Sequence, residues 1–314
     1  MNKILKNNWK GKTMKSKANR NLFIFCMLIY SVIQFLIFYV GINLNSILLA
    51  FQKFDMKTGT YKFLSFADLF KNFKNVLYDF THMRALISAA KNSLIMVFWT
   101  TIAIFPVHIF VSYSIYKKCK FSGFFTVILM LPTMVPGVVF LMIFRYIVEF
   151  GIPVIIGDPR FPSLISNIDT AFGTMIFYTM WMGFAGNLII YLGAMSRIPP
   201  SLLEYGQMEG MNSLQEVWHI ILPMIFPTIT VIVIGWVIGF FAGQGPLYTF
   251  YAEFAPVNVQ TIGYYFFVQV IGYNSSPLNY PYASAAGLVF TLIAAPITLT
   301  IRWLMEKYGP NPEY

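Results

Sequence analysis

Residues 204–223 read Glu-Tyr-Gly-Gln-Met-Glu-Gly-Met-Asn-Ser-Leu-Gln-Glu-Val-Trp-His-Ile-Ile-Leu-Pro, a polar stretch between two long apolar runs. These side chains offer recognition rather than bond-making. Glu204, Gln207, Glu209, Gln215 and Glu216 supply a polar face; Leu202, Leu203, Leu214, Val217, Ile220 and Ile221 supply an apolar one. A helix of this kind docks into a groove on a partner or lies flat in lipid headgroups, and composition leaves both open. Elsewhere the chain holds little chemistry. His82, His108 and His219 have no metal-ligand spacing. No Gly-x-x-x-x-Gly-Lys-Ser/Thr phosphate loop is present, so the chain is not an ATPase.

The pattern around the polar stretch predicts helix, turn, helix. Pro199-Pro200-Ser201 ends the preceding helix. Ser201 and Glu204 have capping-box spacing, which starts a short helix from about Leu202 to Met208. Gly210 suits the left-handed residue that closes a helix. Asn212 or Ser213 is placed to cap a second short helix through His219, with Pro223 and Pro227 leading into the next apolar run. Both short helices are expected to lie at the membrane face.

The elements that must position this elbow are apolar. The 314 residues are 57% hydrophobic and 11% charged, against roughly 25% charged in soluble domains. A span takes about 20 apolar residues. Six runs qualify: 22–42, 93–116, 123–148 (broken by Pro132 and Pro136), 171–195, 224–242 and 283–304. The expected fold is an all-α membrane protein with the elbow between spans 4 and 5. Its parts are a basic arm at 1–21, one membrane domain at 22–306 and a short tail at 307–314. From Val217 to Ile301 the one charged residue is Glu253, placed in a loop.

Charge sets the topology. Lys3, Lys6, Lys10, Lys12, Lys15, Lys17 and Arg20 all precede the first run, a positive-inside flank that also meets anionic lipid. The net charge of +10 therefore reports topology and not nucleic acid. Lys117, Lys118, Lys120, Arg197, Arg302 and Lys307 also fall inside, whereas loop 244–282 has no lysine or arginine. The long first loop opposes this rule with Lys53, Lys57, Lys62, Lys71, Lys74, Arg84 and Lys91. The first helix usually dominates, so both termini are placed in the cytoplasm of a multi-pass cell-membrane protein. The first run is too long for a signal peptide and lacks a cleavage site. Cys26 and Cys119 make no disulfide framework.

The elbow resembles the EAA loop of permease subunits of ATP-binding-cassette importers, in the carbohydrate-uptake (maltose and glycerol-phosphate type) branch. That pattern is Glu-Ala-Ala, three residues, Gly, nine residues, Ile, one residue, Leu-Pro. Glu204, Gly210, Ile220, Leu222 and Pro223 match it in register, while Tyr205 and Gly206 replace the alanines. The resemblance spans about residues 22–306 and implies a type I importer permease. It implies that Glu204, Tyr205, Gly206, Glu209, Gly210, Ile220, Leu222 and Pro223 form the coupling elbow. It also implies a second permease, two ATPases that bind ATP and magnesium, an external solute-binding protein and a sugar substrate. The run Asn43-Leu-Asn-Ser-Ile-Leu-Leu-Ala-Phe-Gln, with Pro132 and Pro136, resembles an oligosaccharide branch.

In a rocking transporter the substrate sits near the bilayer midplane. Midplane is about ten residues from each helix end. Counting from Arg197 and from Pro223 gives Trp181, Asn187, Trp236, Phe240 and Gln244 as candidate sugar contacts: aromatic faces for C–H surfaces, amides for hydroxyls. The same aromatics also suit packing or interface anchoring. Gly183 and Gly186 suit close helix contact, and Gly235, Gly239 and Gly243 suit a packing seam. Arg145 and Glu149 are spaced to pair. A membrane enzyme would need paired ionisable residues inside spans. An ion-driven secondary transporter would want carboxylates there and an inverted repeat. The sequence shows neither.

Overall fold

The computed structural model describes residues 19–157, 163–272 and 275–310. Most of the basic arm, Pro159, Pro162 and the end of the tail lie outside the described residues. Among the described residues six helices are long and apolar enough to cross a membrane. In chain order the helices are α1 (Asn19–Leu49), α2 (Lys71–His82), α3 (Arg84–Tyr116), α4 (Ser122–Met134), α5 (Gly137–Ile156), α6 (Ile168–Met195) and α7 (Pro200–Met208). Helix α8 follows as one continuous run through Ser213–Glu216, Val217–Ile221 and Leu222–Ala242. The last three are α9 (Leu247–Tyr251), α10 (Ile262–Ile271) and α11 (Asn279–Tyr308). The crossing helices α1, α3, α5, α6, α8 and α11 include or overlap all six expected runs.

The prolines explain where the helices bend. Val135 is extended (φ −93°, ψ 138°) ahead of Pro136, so the third expected span is two helices, α4 and α5. Proline sterics exclude the α region from the residue before it. Pro132, expected to break this span, instead sits inside α4. Gly151 and Pro153 are helical within α5. Of the four π segments among the described residues, Phe35–Gly41 in α1 has no proline near it, and the other three, Phe98–Ala103, Ile147–Gly151 and Val217–Ile221, lie just before Pro106, Pro153 and Pro223. A proline clashes with the carbonyl four residues back, and that carbonyl falls inside the widened turn each time. The π turn thus relieves the clash and lets the helix continue.

The long first loop folds as a hairpin, which the all-α reading missed. Strand β1 (Gln52–Asp55) pairs antiparallel with β2 (Thr60–Phe63), Phe54 opposite Tyr61. Gly59 turns the chain at φ +65°. The Lys62 ammonium lies 2.6 Å from Asp55 and, with the Lys57 amide, holds that carboxyl down at about 2. Asn72 of α2 donates to the Ala50 and Gln52 carbonyls, and the Tyr61 hydroxyl donates to the Pro277 carbonyl. The hairpin is thereby fastened beside the start of α11. At the opposite end of the bundle, Ile109 and Tyr113 of α3, Tyr191 and Met195 of α6, Ile198, and Val217, Ile221 and Ile225 of α8 form one core, with Leu203 and Met305 against it. The elbow and the C-terminal end of α11 therefore share one end; the hairpin occupies the other.

Candidate functional site

The elbow is built as expected at its turn and differently at its start. Helix α7 begins at Pro200 with Pro199 as its cap residue and no side-chain cap, so Ser201 does not cap it. Proline lacks the N–H that a cap would satisfy and presets the helical φ. Gly210 is left-handed at φ +75°. Asn212 then makes a full capping box: its side chain accepts from the Gln215 amide, and the Gln215 side chain accepts from the Asn212 amide, both at 2.9 Å. Such a cap is worth about 1 kcal/mol. The second helix does not stop at His219 but runs through the π turn into the span.

The faces also divide differently from the sequence reading. Val217 and Ile221 are buried and Leu203 and Ile220 half-buried, as an inward apolar face requires. Leu202 and Leu214, assigned to that face, are exposed. Glu204, Tyr205, Gln207 and Glu209 are exposed along α7, with Met208 86% exposed beside them. Glu216, assigned to the polar face, is 4% exposed and pairs with Lys117 at 2.6 Å. Gly206 is buried, and a Cβ there would lie 2.8 Å from Ile220 Cδ1 and 3.5 Å from Met211 Sδ. The sequence positions Gly206 and Ile220 thus meet in space and hold α7 against the foot of α8. Leu222 and Pro223 are half-buried just beyond.

The five candidate sugar contacts are not gathered into one place. Trp181 packs among Phe140, Phe144 and Phe177, with ring centroids 5.0–6.3 Å away, and lines an apolar groove. Phe240 stacks edge-on to Phe241 at 4.8 Å. Asn187 is half-buried, and Gln244 has a buried, unpartnered Oε1. Trp236 is different. It abuts Phe105 at 6.0 Å and lines a cavity of about 170 Å³ with Ser93, Thr100, Thr101, Thr179, Gly235, Gly239 and Thr261. Gly235 and Gly239 have nothing within 4 Å of a notional Cβ, so they open space rather than form the expected packing seam. Gly183 and Gly186 are equally open within this chain, with no close helix contact.

The cavity hydroxyls were missed from sequence because single Thr and Ser residues in apolar helices carry no spacing signal. Thr100 and Thr179 donate to carbonyls one turn back, Met96 and Met175, at 2.7 and 2.8 Å; Thr101 donates likewise to Val97. Their oxygens remain free to accept. The site therefore offers an indole face and hydroxyl acceptors with no ionised group on its lining, a surface suited to an uncharged polyol. Beside the cavity, the loop that contributes Thr261 is strapped to α3. Asn92 donates to the Asn258 and Gln260 carbonyls at 2.9 Å, and the Ser93 hydroxyl accepts from the Ile262 amide at 2.9 Å. Thr261 caps α10 and donates to Gly243. Arg145 and Glu149 pair at 3.2 Å as expected, and Arg145 also reaches the Phe250 carbonyl.

The bundle thus carries an exposed elbow at one end and a Trp- and Thr-lined cavity within it. Residues 105–311 match the family model described as binding-protein-dependent transport system inner membrane component. The chain is 23% identical to the arabinooligosaccharides transport system permease protein AraP of Bacillus subtilis, over 85% of this chain and 83% of the relative. It is 26% identical to the multiple sugar-binding transport system permease protein MsmF of Streptococcus mutans, over 82% and 88%. Its fold is similar to a chain in the crystal structure of a bacterial ABC transporter involved in import of the acidic polysaccharide alginate, with a TM-score of 0.71 at 19% identity, covering 94% of this chain and 98% of that one. The chain is a multi-pass membrane protein and belongs to the family of binding-protein-dependent transport system inner membrane components.

Proposed function

We propose that the chain is one permease subunit of an ATP-driven importer that moves an uncharged oligosaccharide across the cell membrane. The observation that carries this reading is the pairing of an ordered, exposed elbow with a neutral, Trp- and Thr-lined cavity in one bundle. The relatives named for arabinooligosaccharides and multiple sugars support the substrate class. A cavity of about 170 Å³ is smaller than the ~300–1,000 Å³ of most ligand pockets. One chain therefore supplies one wall, and a second, homologous permease supplies the other. ATP and magnesium bind to two cytoplasmic ATPase subunits that grip Glu204, Tyr205, Glu209 and the Gly210 turn. An external solute-binding protein delivers the sugar at the hairpin end. In this arrangement both termini are cytoplasmic.

The test is growth and uptake on a panel of oligosaccharides by a strain lacking this chain. Loss of import of particular oligosaccharides, restored by the intact chain, is expected; unchanged growth on every sugar contradicts the reading. Glu204→Ala, at an exposed position of α7, is expected to lower restored uptake about tenfold, the size of a typical coupling energy between sites. Uptake equal to the unmodified chain at equal membrane amount removes Glu204 from the coupling surface.

A further inference from the structure

The elbow is joined covalently to α6 and α8, yet the cavity has a third wall. Ser93, Met96, Val97, Thr100 and Thr101 of α3 line it. No peptide bond connects α3 to the elbow. Beside the apolar core that Ile109 and Tyr113 of α3 share with Val217 and Ile221, one charged contact connects them: Lys117, just after the last turn of α3, whose Nζ lies 2.6 Å from Glu216 Oε1. The pair is largely out of water: the two side chains are 22% and 5% exposed. Lys117 also sits 5.9 Å over the Tyr113 ring. A tight turn with Lys118 and Phe121 at positive φ (53° and 66°) returns the chain into α4 and holds Lys117 in place.

A desolvated ion pair is weak evidence for stability, since an apolar pair of similar volume often serves as well. Its geometric consequence is stronger. Glu216 is the last residue before the π turn in the first part of α8. Lys117, the C-cap of α3, is sixteen positions beyond Thr101, about 24 Å along the helix axis. A displacement of the elbow that left α3 behind would pull this buried pair apart, whereas apolar side chains can slide past one another. With the pair intact, all three walls are attached to the same foot.

We propose that Lys117 and Glu216 are positioning residues, forming the joint through which displacement of the elbow reaches the α3 wall of the cavity. This rests on the transport reading above. The test uses the complete transporter, with its ATPases, in proteoliposomes. Cys26 and Cys119 are replaced by serine, and a single cysteine is placed at Val97 on α3 or at Gly239 on α8. A membrane-impermeant thiol reagent measures modification rates without nucleotide and with ATP plus orthovanadate. In the otherwise unmodified transporter both positions are expected to change rate about tenfold between the two states, as a coupling energy of ordinary size requires. With Lys117→Met and Glu216→Gln together, the Val97 response is expected to vanish while the Gly239 response remains. Lys117→Arg, which keeps the pair, keeps both. If the double variant does not assemble, Glu216→Gln alone is read in the same way, because the lysine tip already touches water. A Val97 response that survives loss of the pair, or is lost equally in Lys117→Arg, overturns the joint. Absence of any response at either position in the unmodified transporter overturns the transport reading instead.

Discussion

Gly210→Val is expected to reduce ATP-driven uptake by about a hundredfold, near the upper end of site-to-site coupling, with the protein still present in the membrane. Gly210 holds φ +75° at the turn between α7 and α8. A β-branched residue there costs about 1–3 kcal/mol of backbone strain. The cheapest relief is to rotate out of the left-handed region, which swings α7 away from the foot of α8. The contact of Gly206 with Ile220 and Met211 is then lost, and with it the fixed angle of the exposed face that carries Glu204 and Glu209. Nothing packs within 4 Å of a notional Cβ at Gly210, so the defect arises from the backbone and not from a clash. Gly210→Asn tolerates the left-handed region better, and is expected to keep most uptake. Radiolabelled sugar uptake, normalised to membrane content by immunoblot, decides it. Equal uptake by the Val and Asn variants contradicts the claim that this turn fixes the elbow.

Gly239→Leu is the second large effect, with the opposite cause. This glycine lies in the last turn of α8, beside Trp236, with open space where a side chain would go. Replacing a helical glycine favours the helix by up to about 1 kcal/mol, so insertion and stability are not expected to suffer. The leucine side chain instead projects into the cavity and covers the hydroxyls of Thr100 and Thr179. Uptake is expected to fall to background while ATP hydrolysis by the assembled transporter persists. Gly183→Leu, equally open but outside this cavity, is the control and retains uptake. Full uptake by Gly239→Leu removes the cavity from the transport path.

The sequence carried the spans well, because twenty-residue apolar runs have few alternatives in water or lipid. It carried the Gly210 turn and the Asn212 cap for the same kind of reason: few residue types satisfy those backbone positions. The hairpin at Gln52–Phe63 escaped because its strands are four residues each, too short for alternation to stand out. The split at Val135 was half visible, since Pro132 and Pro136 look equivalent in one dimension. Only the second has a preceding residue driven to extended backbone. The burial of Glu216 could not be read at all. Its partner Lys117 is about a hundred residues away in the chain, and a lone glutamate on a short helix reads as solvated. Of the aromatics counted to this depth, Trp236 lines the cavity and Trp181 and Phe240 do not, because counting residues from a helix end gives depth without direction around the axis. The direction comes from the packing of α3, α6 and α8, and that is a tertiary fact.

The account depends on the elbow and the hairpin facing opposite sides of the membrane, the elbow inward. The most direct measurement is thiol labelling of single-cysteine variants with an impermeant reagent. Met208→Cys reports the elbow and Phe66→Cys the hairpin end; the native residues are 86% and 96% exposed. In intact cells the account predicts labelling at position 66 and none at position 208, with the pattern reversed in inside-out vesicles. Labelling of position 208 in intact cells would place the elbow beyond the reach of any cytoplasmic ATPase and contradict the account.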